Sequence, residues 1–313
     1  MGYKAMNNDN YHIPVLLEEV IAGLNLKENE VVVDGTLGGA GHSGEILKRF
    51  AGVKIIAFDR DLEAIEYSKN KLKAFDDQVV YNHTNYKDIP KVLEELKIKA
   101  DAILLDLGVS SHQIDDMKRG FSFRFDSSLD MRMNSEDDLT AEKVVNEYSE
   151  EDLANVIYNY GEERLSRKIA NSIVKSRPVK TTFELKNIVE ECVSRYNKRE
   201  VKSSIQRVFQ AIRIEVNDEL NGLFDLFLSL PKYVNKGGRI AIITFHSLED
   251  RIVKRAFGEL STNCICPPSI PICVCNHKAV AKLVNKKPII AGDKELACNS
   301  RASCAKLRII EIL

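Results

Sequence analysis

The stretch "VVVDGTLGGAGHSGEILKRF", residues 31–50, constrains the fold of this chain more than any other. Its pattern predicts a buried strand, then a glycine-rich turn, then a helix. Further short apolar runs follow at 54–58, 78–81 and 102–105, and segments with helical apolar spacing separate them. This alternation favours an α/β fold, with a parallel sheet covered by helices on both faces.

A long segment without strand character interrupts the alternation. From about residue 115 to residue 215 the pattern is helical, and strong strand sequences return only at 237–247 and in the final "AKLRIIEIL". We therefore predict a sheet-containing domain made of residues 1–114 and 216–313. An all-helical subdomain, residues 115–215, would be inserted into it between strands 4 and 5.

Composition limits the class of protein. Hydrophobic residues make up 44% and charged residues 29%, which is typical of a soluble globular chain, and the net charge is -1. Residues 160–213 nevertheless carry thirteen Lys and Arg against six Glu, which suits either nucleic-acid contact or a solvated helix face. No apolar run has the length of a membrane span or a signal peptide. We expect a cytoplasmic protein without membrane association, and the sequence leaves a homodimer open.

The glycine-rich turn predicts a ligand that contains adenosine. Four glycines within residues 35–41 would let a ligand approach the backbone, and "FDRD" places Asp59 at the end of the next strand. A carboxylate there can accept hydrogen bonds from both ribose hydroxyls. Asp34 would repel a pyrophosphate but favour the cationic end of S-adenosylmethionine, and the glycines do not fit the GxGxxG spacing. S-adenosylmethionine is thus favoured over NAD, and a tight turn without a ligand is the plain alternative.

Strand 4 runs into "ILLDLGVSSHQIDD", which adds polar side chains at the same sheet edge. Asp106 would face the cofactor, and Ser110, Ser111 and Gln113 follow it closely. These serines and the glutamine could equally cap the next helix. His246, at the end of strand 5, is either a proton acceptor or RNA contact, or a histidine satisfied by local hydrogen bonds.

Aromatic and basic residues alternate in and beside "GFSFRFDSSLDMRMN", residues 120–134. Three aromatic rings could stack on RNA bases or, as we favour, anchor the core of the insert: Phe121, Phe123 and Phe125. Three arginines could contact the RNA backbone or pair with Asp126 or Asp130: Arg119, Arg124 and Arg132.

Four of the seven cysteines lie within twelve residues, in "CICPPSIPICVC". Two CxC pairs across a proline-rich turn could supply four thiolates to a structural Zn²⁺, and a reducing cytoplasm disfavours disulfides. The ligands of such a site would be Cys264, Cys266, Cys273 and Cys275.

Several long blocks of the chain resemble the bacterial 16S ribosomal RNA cytosine-N4 methyltransferases, among them "VVDGTLGGAGHS", "DLGVSS", "GFSFRFDSSLDMRM" and "FHSLEDRIVK". The resemblance covers nearly the whole chain. It implies a class I Rossmann-like methyltransferase fold with a mostly parallel seven-stranded sheet, and N4 methylation of cytidine 1402 in the decoding region of 16S rRNA. Its cofactor, S-adenosylmethionine, would be bound by Gly39, Ala40, Gly41, His42, Asp59, Tyr86, Asp106 and Gln113.

The chemistry of this reaction needs a hydrogen-bond acceptor, because the lone pair of the cytosine amine is delocalised into the ring. Asp106 is the expected acceptor, with Ser110 assisting, and the helical insert would recognise the RNA. Methylation at cytosine C5 would instead need a cysteine nucleophile, and no cysteine follows strand 4 closely. A non-catalytic ribosome assembly factor and an NAD-dependent oxidoreductase are the alternatives from other classes.

Overall fold

The computed structural model describes residues 14–110, 113–114, 116–266 and 272–313. The chain divides into two compact units, one made of residues 1–108 and 222–313 and the other of residues 109–221. The sheet belongs to the first unit, and the second unit is built from helices. Residues 115–215, the predicted insert, fall inside the second unit.

Seven strands of the first unit form one sheet in the order β3-β2-β1-β4-β5-β7-β6. The pairs among β1 to β5 are parallel, and β7 runs antiparallel to both β5 and β6. The strands are β1 (Val31–Asp34), β2 (Lys54–Asp59), β3 (Val79–His83), β4 (Ala100–Asp106), β5 (Val234–Thr244), β6 (Ala281–Leu283) and β7 (Lys306–Ile312). The prediction of a mostly parallel, seven-stranded Rossmann-like sheet is confirmed.

Burial explains why the central strands were readable from sequence. The β4 side chains from Ala102 to Leu105 are fully buried, as expected for a parallel strand covered by helices on both faces. The strand β6 was missed because it has only three residues, one of which, Lys282, is exposed and pairs with Glu311. So short an edge strand gives no hydrophobic alternation to recognise.

The helices of the first unit follow the predicted alternation. Asp61 caps one of them by accepting a hydrogen bond from the Glu63 N–H group, and Pro90 stands in the first turn of another. The helices of the first unit are α1 (Leu17–Leu24), α2 (Gly41–Arg49), α3 (Leu62–Lys71), α4 (Ile89–Leu96), α10 (Leu223–Ser229), α11 (Ser247–Leu260) and α12 (Asp293–Cys298). Helices α5 to α9 belong to the second unit. None of the helices within the described ranges is both long and apolar enough to cross a membrane.

The second unit has its own apolar core. Its helices are α5 (Ala141–Glu147), α6 (Glu150–Gly161), α7 (Ser166–Lys175), α8 (Thr182–Ser194) and α9 (Val201–Asn217). Ser149 caps α6, and Thr181 with Glu184 forms the capping box of α8. The helices α6 and α9 cross closely at Gly161, where a Cβ atom would stand 2.7 Å from the carbonyl oxygen of Arg207.

Candidate cofactor site at the carboxyl edge of the sheet

The turn after β1 is tied to both neighbouring strands. The Gly35 N–H group donates to the Leu104 carbonyl of β4, and the Leu37 N–H group donates to the Phe58 carbonyl of β2, each at 2.9 Å. A Cβ atom on Gly35 would stand 2.2 Å from the Leu105 side chain, so the turn leaves no room for a larger residue there. The turn is therefore held at the point where strand order reverses, which is where open α/β sheets bind ligands.

Asp34 fixes this turn to α2. Its side chain is only 2% exposed and accepts hydrogen bonds from the Ser43 hydroxyl at 2.6 Å and the Thr36 N–H group at 3.2 Å. Burial raises the pKa of Asp34, and these two hydrogen bonds oppose the rise. One partner belongs to the turn and the other to α2. Contact of Asp34 with a cofactor cation stays a prediction.

Asp59 joins the end of β2 to the glycine-rich turn. One carboxylate oxygen accepts from the Gly38 N–H group at 2.7 Å, and the other accepts from the Asp61 N–H group at 2.9 Å. Burial raises the pKa of Asp59 to about 6, although these two backbone donors lower it. Each oxygen keeps a second lone pair, so the carboxylate can also accept from hydroxyl groups of a ligand.

The rest of the glycine-rich turn adopts backbone that favours glycine. Gly38 has φ +50, and Ala40, the residue before α2, has φ 51. Two side chains of α3 hold the carbonyl oxygens of the turn, with Ser68 bound to Gly38 at 2.8 Å and Lys71 bound to Gly39 at 2.6 Å. The N–H groups of the first turn of α2, which begins at Gly41, lie next to this loop.

Asp106 ends β4 with a buried carboxylate that is only partly satisfied. Its N–H group donates to the Thr36 hydroxyl at 2.6 Å, which ties it to the glycine-rich turn. Its Oδ1 atom is buried and has no hydrogen-bond partner among the described residues. Burial raises the pKa of Asp106 to about 8, and the charges of Asp34 and Glu249 add to the rise.

His42 lies beside Asp106 in the interior. The ring is 6% exposed, its Nε2 atom is 3.0 Å from the Val15 carbonyl oxygen, and its Nδ1 atom is 3.9 Å from Asp106 Oδ2. The carbonyl can only accept, so Nε2 carries a hydrogen and donates to it. His42 therefore borders the acidic site from within the core of the first unit.

Tyr86 also approaches the turn, from the short 3₁₀ segment Tyr86–Asp88 after β3. Its Cβ atom is 3.2 Å from the place where a Cβ atom on Gly35 would stand. The structure thus brings the predicted residues of the first unit to one edge: Gly39, Ala40, Gly41, His42, Asp59, Tyr86 and Asp106.

Ser110 and Gln113 belong to the second unit and bind each other. The Ser110 N–H group donates to Gln113 Oε1 at 3.0 Å, and the Gln113 N–H group donates to the Ser110 hydroxyl at 3.2 Å. This reciprocal pair is a capping box, the alternative that sequence left open for these side chains. Ser111 lies outside the described residues. Catalytic assistance by Ser110 and cofactor binding by Gln113 stay predictions.

His246 and Glu249 form the capping box of α11. His246 Nδ1 accepts from the Glu249 N–H group at 3.4 Å, and Glu249 Oε2 accepts from the Phe245 N–H group at 2.8 Å. His246 Nε2 lies 3.2 Å from Glu249 Oε1. The cap uses Nδ1 only, because the buried Nε2 atom has no hydrogen-bond partner among the described residues. A role of His246 as proton acceptor or RNA contact therefore stays a prediction. Its partner Glu249 was missed from the sequence, although the H-S-L-E spacing was a usable capping signal.

Most of the aromatic and basic residues near 120–134 have structural partners inside the second unit. Phe121 and Phe123 pack on its core, as favoured from the sequence, whereas Phe125 is 40% exposed. Arg119 donates to two backbone carbonyl oxygens, and Arg132 forms a two-point ion pair with Asp130.

The cysteine cluster lies in the first unit, where the four Sγ atoms predicted as ligands are within 4.8 Å of one another. They belong to the segment between α11 and β6, which is not part of the glycine-rich edge. Zinc binding stays a prediction at this point.

Comparison with known proteins identifies the family. The model of the MraW methylase family matches residues 9–313. A relative from Finegoldia magna is 46% identical over 96% of this chain and 98% of its own length, and one from Clostridium botulinum is 51% identical over 95% and 97%. Both are named "Ribosomal RNA small subunit methyltransferase H".

Similarity to solved structures is much weaker. TrmN from Thermus thermophilus is 10% identical with a TM-score of 0.43, over 95% of this chain and 48% of that one. An rRNA methylase from Streptococcus thermophilus is 10% identical with a TM-score of 0.40, over 94% and 93%. Such distant likenesses add nothing to the assignment, which rests on the sequence relatives: the chain belongs to the MraW methylase family.

Proposed function

We propose that this chain is an S-adenosylmethionine-dependent methyltransferase that methylates N4 of cytidine 1402 in 16S rRNA of the small ribosomal subunit. The observation that carries the chemistry is the buried Asp106 carboxylate, whose Oδ1 atom has no partner in the described part of the chain. The names of the relatives indicate the substrate class. Because small subunits are assembled in the cytoplasm, the enzyme would act there.

The residues at the carboxyl edge fit this cofactor, which supplies an electrophilic methyl group on a cationic sulfur. Asp59 would accept hydrogen bonds from the ribose hydroxyls through its remaining lone pairs. The N–H groups at the start of α2 would attract the carboxylate of the methionine part. Tyr86 would offer an aromatic face to the adenine.

Asp106 suits the role of acceptor for the cytosine amine. With a pKa of about 8, it holds its proton at neutral pH in the free protein. A cation bound nearby favours the ionised form, which can then accept a hydrogen bond from the amine. A pKa near the working pH also suits a group that takes up the proton that the amine must lose.

The cysteines argue against chemistry at cytosine C5. That reaction needs a thiolate close to the base. Cys192 is buried in the core of the second unit, and the other six cysteines follow α11 in the chain. None of these cysteines directly follows β4, the strand that ends in Asp106.

The second unit would supply RNA recognition. Three of its basic side chains serve the fold: Arg177 donates to two carbonyl oxygens, Arg207 pairs with Glu163, and Arg213 pairs with Glu219. Arg195 pairs with Glu191 on the surface of α8. The other nine basic residues of the segment are candidates for phosphate contact: Arg164, Arg167, Lys168, Lys175, Lys180, Lys186, Lys198, Arg199 and Lys202. Such contacts make binding weaken as salt rises.

The test incubates the protein and labelled S-adenosylmethionine with small subunits that lack the modification, followed by nucleoside mass spectrometry of the 16S rRNA. N4-methylcytidine at one position is the expected product, and 5-methylcytidine would contradict the role of Asp106. The Asp106→Asn variant is the matched control and should leave no label. No label with the parent protein would favour the assembly-factor alternative. A homodimer stays a prediction, which sedimentation of the purified chain tests.

A further inference from the structure

Four cysteine sulfurs converge in a segment that the proposed methyl transfer does not use. Cys264 and Cys266 come before residues 267–271, which lie outside the described residues, and Cys273 and Cys275 come after them. The Sγ atom of Cys275 is 3.5 Å from that of Cys273 and 3.9 Å from that of Cys264. All four Sγ atoms lie within 4.8 Å of one another.

These separations match a tetrahedral metal site. A Zn–S bond is about 2.3 Å long, so two sulfurs on one tetrahedral zinc are about 3.8 Å apart. A disulfide would bring two sulfurs to about 2.05 Å. All four cysteines of the cluster are free thiols. The cluster thus has the spacing of a metal site and not of a pair of disulfides.

Backbone N–H groups surround the sulfurs. Val274 donates to Cys266 Sγ at 3.5 Å. The N–H groups of Cys266 and His277 make backbone hydrogen bonds to the sulfurs of Cys264 and Cys275. Hydrogen bonds of this kind offset the negative charge of metal-bound thiolates and fix their orientation.

Next to the cysteines, the described part of the segment between α11 and β6 has no apolar core to hold it. Ile265, Ile272 and Val274 are 49%, 75% and 70% exposed. Hydrogen bonds close its base instead, where the Val280 N–H group donates to the Leu260 carbonyl oxygen at 2.9 Å. A small loop without a core commonly needs a metal to keep one conformation.

The cluster lies away from the edge that would bind the cofactor. The helix α11 begins directly after β5 at the carboxyl edge, and its 14 residues extend about 20 Å from there. The segment then joins β6, whose Ala281 pairs with Ile312 at the end of β7. The adjacent Glu311 pairs with Arg239 in the first half of β5, near the opposite edge of the sheet. A metal here would be too far from the carboxyl edge to act on a reacting group.

We propose that Cys264, Cys266, Cys273 and Cys275 bind one Zn²⁺ ion as thiolates, releasing their four protons to solvent. The zinc fixes the segment between α11 and β6 and takes no part in methyl transfer. This role is independent of the proposed substrate.

Metal analysis of the full-length protein, purified without an affinity tag, tests the site. We expect about one zinc per chain in the parent and less than about 0.2 in the double variant Cys264→Ser/Cys273→Ser. The matched control is Cys298→Ser/Cys304→Ser, which removes two exposed thiols outside the cluster and should keep the zinc. Less than about 0.2 zinc in the parent after reconstitution, equal zinc in the two variants, or iron in place of zinc would overturn the proposal.

Two further measurements separate a structural role from other roles. A chelator should lower the melting temperature of the parent but not that of the cluster variant. Below its melting temperature, the variant should bind S-adenosylhomocysteine within about twofold of the parent, because the sites are distant. A loss of about tenfold in the folded variant would contradict a purely structural metal. If the variant is insoluble, the metal-free parent is reconstituted with Co²⁺, and absence of the visible absorption of tetrahedral cobalt thiolate overturns the site.

Discussion

The Asp106→Asn substitution should stabilise the ligand-free protein while it abolishes methyl transfer. The Asp106 side chain is 18% exposed, and its pKa of about 8 stands far above the ordinary value of 3.8. Because burial and two nearby carboxylates disfavour its charge, the folded state keeps the proton that the unfolded chain gives up. An asparagine has nearly the same shape but cannot ionise, so the folded variant does not lose free energy by keeping a carboxyl group protonated.

The pH dependence follows from the direction of the shift. A raised pKa gives a contribution to stability that is fully present below the unfolded value, near pH 4, and is lost as pH rises to the folded value of about 8. Each pH unit in this window costs the folded parent about 1.4 kcal/mol. The asparagine variant should therefore be about as stable as the parent near pH 4 and more stable by on the order of 4 kcal/mol at pH 7.

Urea unfolding of both proteins, at steps from about pH 5 to about pH 8, measures this difference. The matched control is Asp250→Asn. Burial raises the pKa of Asp250, but the charges of Arg308 and Lys306 outweigh it and hold that pKa below its usual range. In this pH range the Asp250→Asn control should therefore be less stable than the parent, whereas the Asp106→Asn variant should be more stable than the parent. An Asp106 variant that is less stable than the parent at pH 7, or a difference that does not grow with pH, would refute the reasoning.

Three further substitutions test the site and the second unit. Asp59→Ala should weaken binding of S-adenosylhomocysteine by about 10- to 100-fold in calorimetry, since two hydrogen bonds to a charged group are lost; an unchanged affinity would remove Asp59 from the site. Arg207→Met should lower the unfolding free energy by about 2–4 kcal/mol, because it leaves the carboxylate of Glu163, 2% exposed, without its ion pair. A change below about 0.5 kcal/mol would show that this pair contributes little. Gly161→Ala should lower the unfolding free energy by about 1–3 kcal/mol, because the added methyl group would push α6 away from α9. An unchanged melting temperature would contradict the close crossing of these helices.

Sequence patterns were sufficient for the parts of the fold that depend on local order. The apolar runs of β1, β2 and β4 were recognisable because parallel strands buried on both faces are continuously hydrophobic. The N-cap at Ser149 and the capping box at Thr181 depend on local order too, because their bonding atoms are only three residues apart. Asp59 and Asp106 could be placed at one edge, since the carboxyl ends of parallel strands meet there.

Tertiary structure decided what the side chains at that edge can do. The raised pKa of Asp106 depends first on burial, which no local pattern reveals. It depends also on the charges of Asp34 and Glu249, which are distant in sequence. The sequence left His246 open between a functional and a structural role, and the structure shows that its Nδ1 atom caps a helix while its Nε2 atom stays buried without a hydrogen-bond partner in the described part of the chain. The sequence by itself determined the order of strands and helices and the positions of the acidic residues, because both follow from short-range patterns. Only the folded chain sets the charge state of Asp106 and brings the four cysteine sulfurs together, because burial and long-range proximity are properties of the assembled structure.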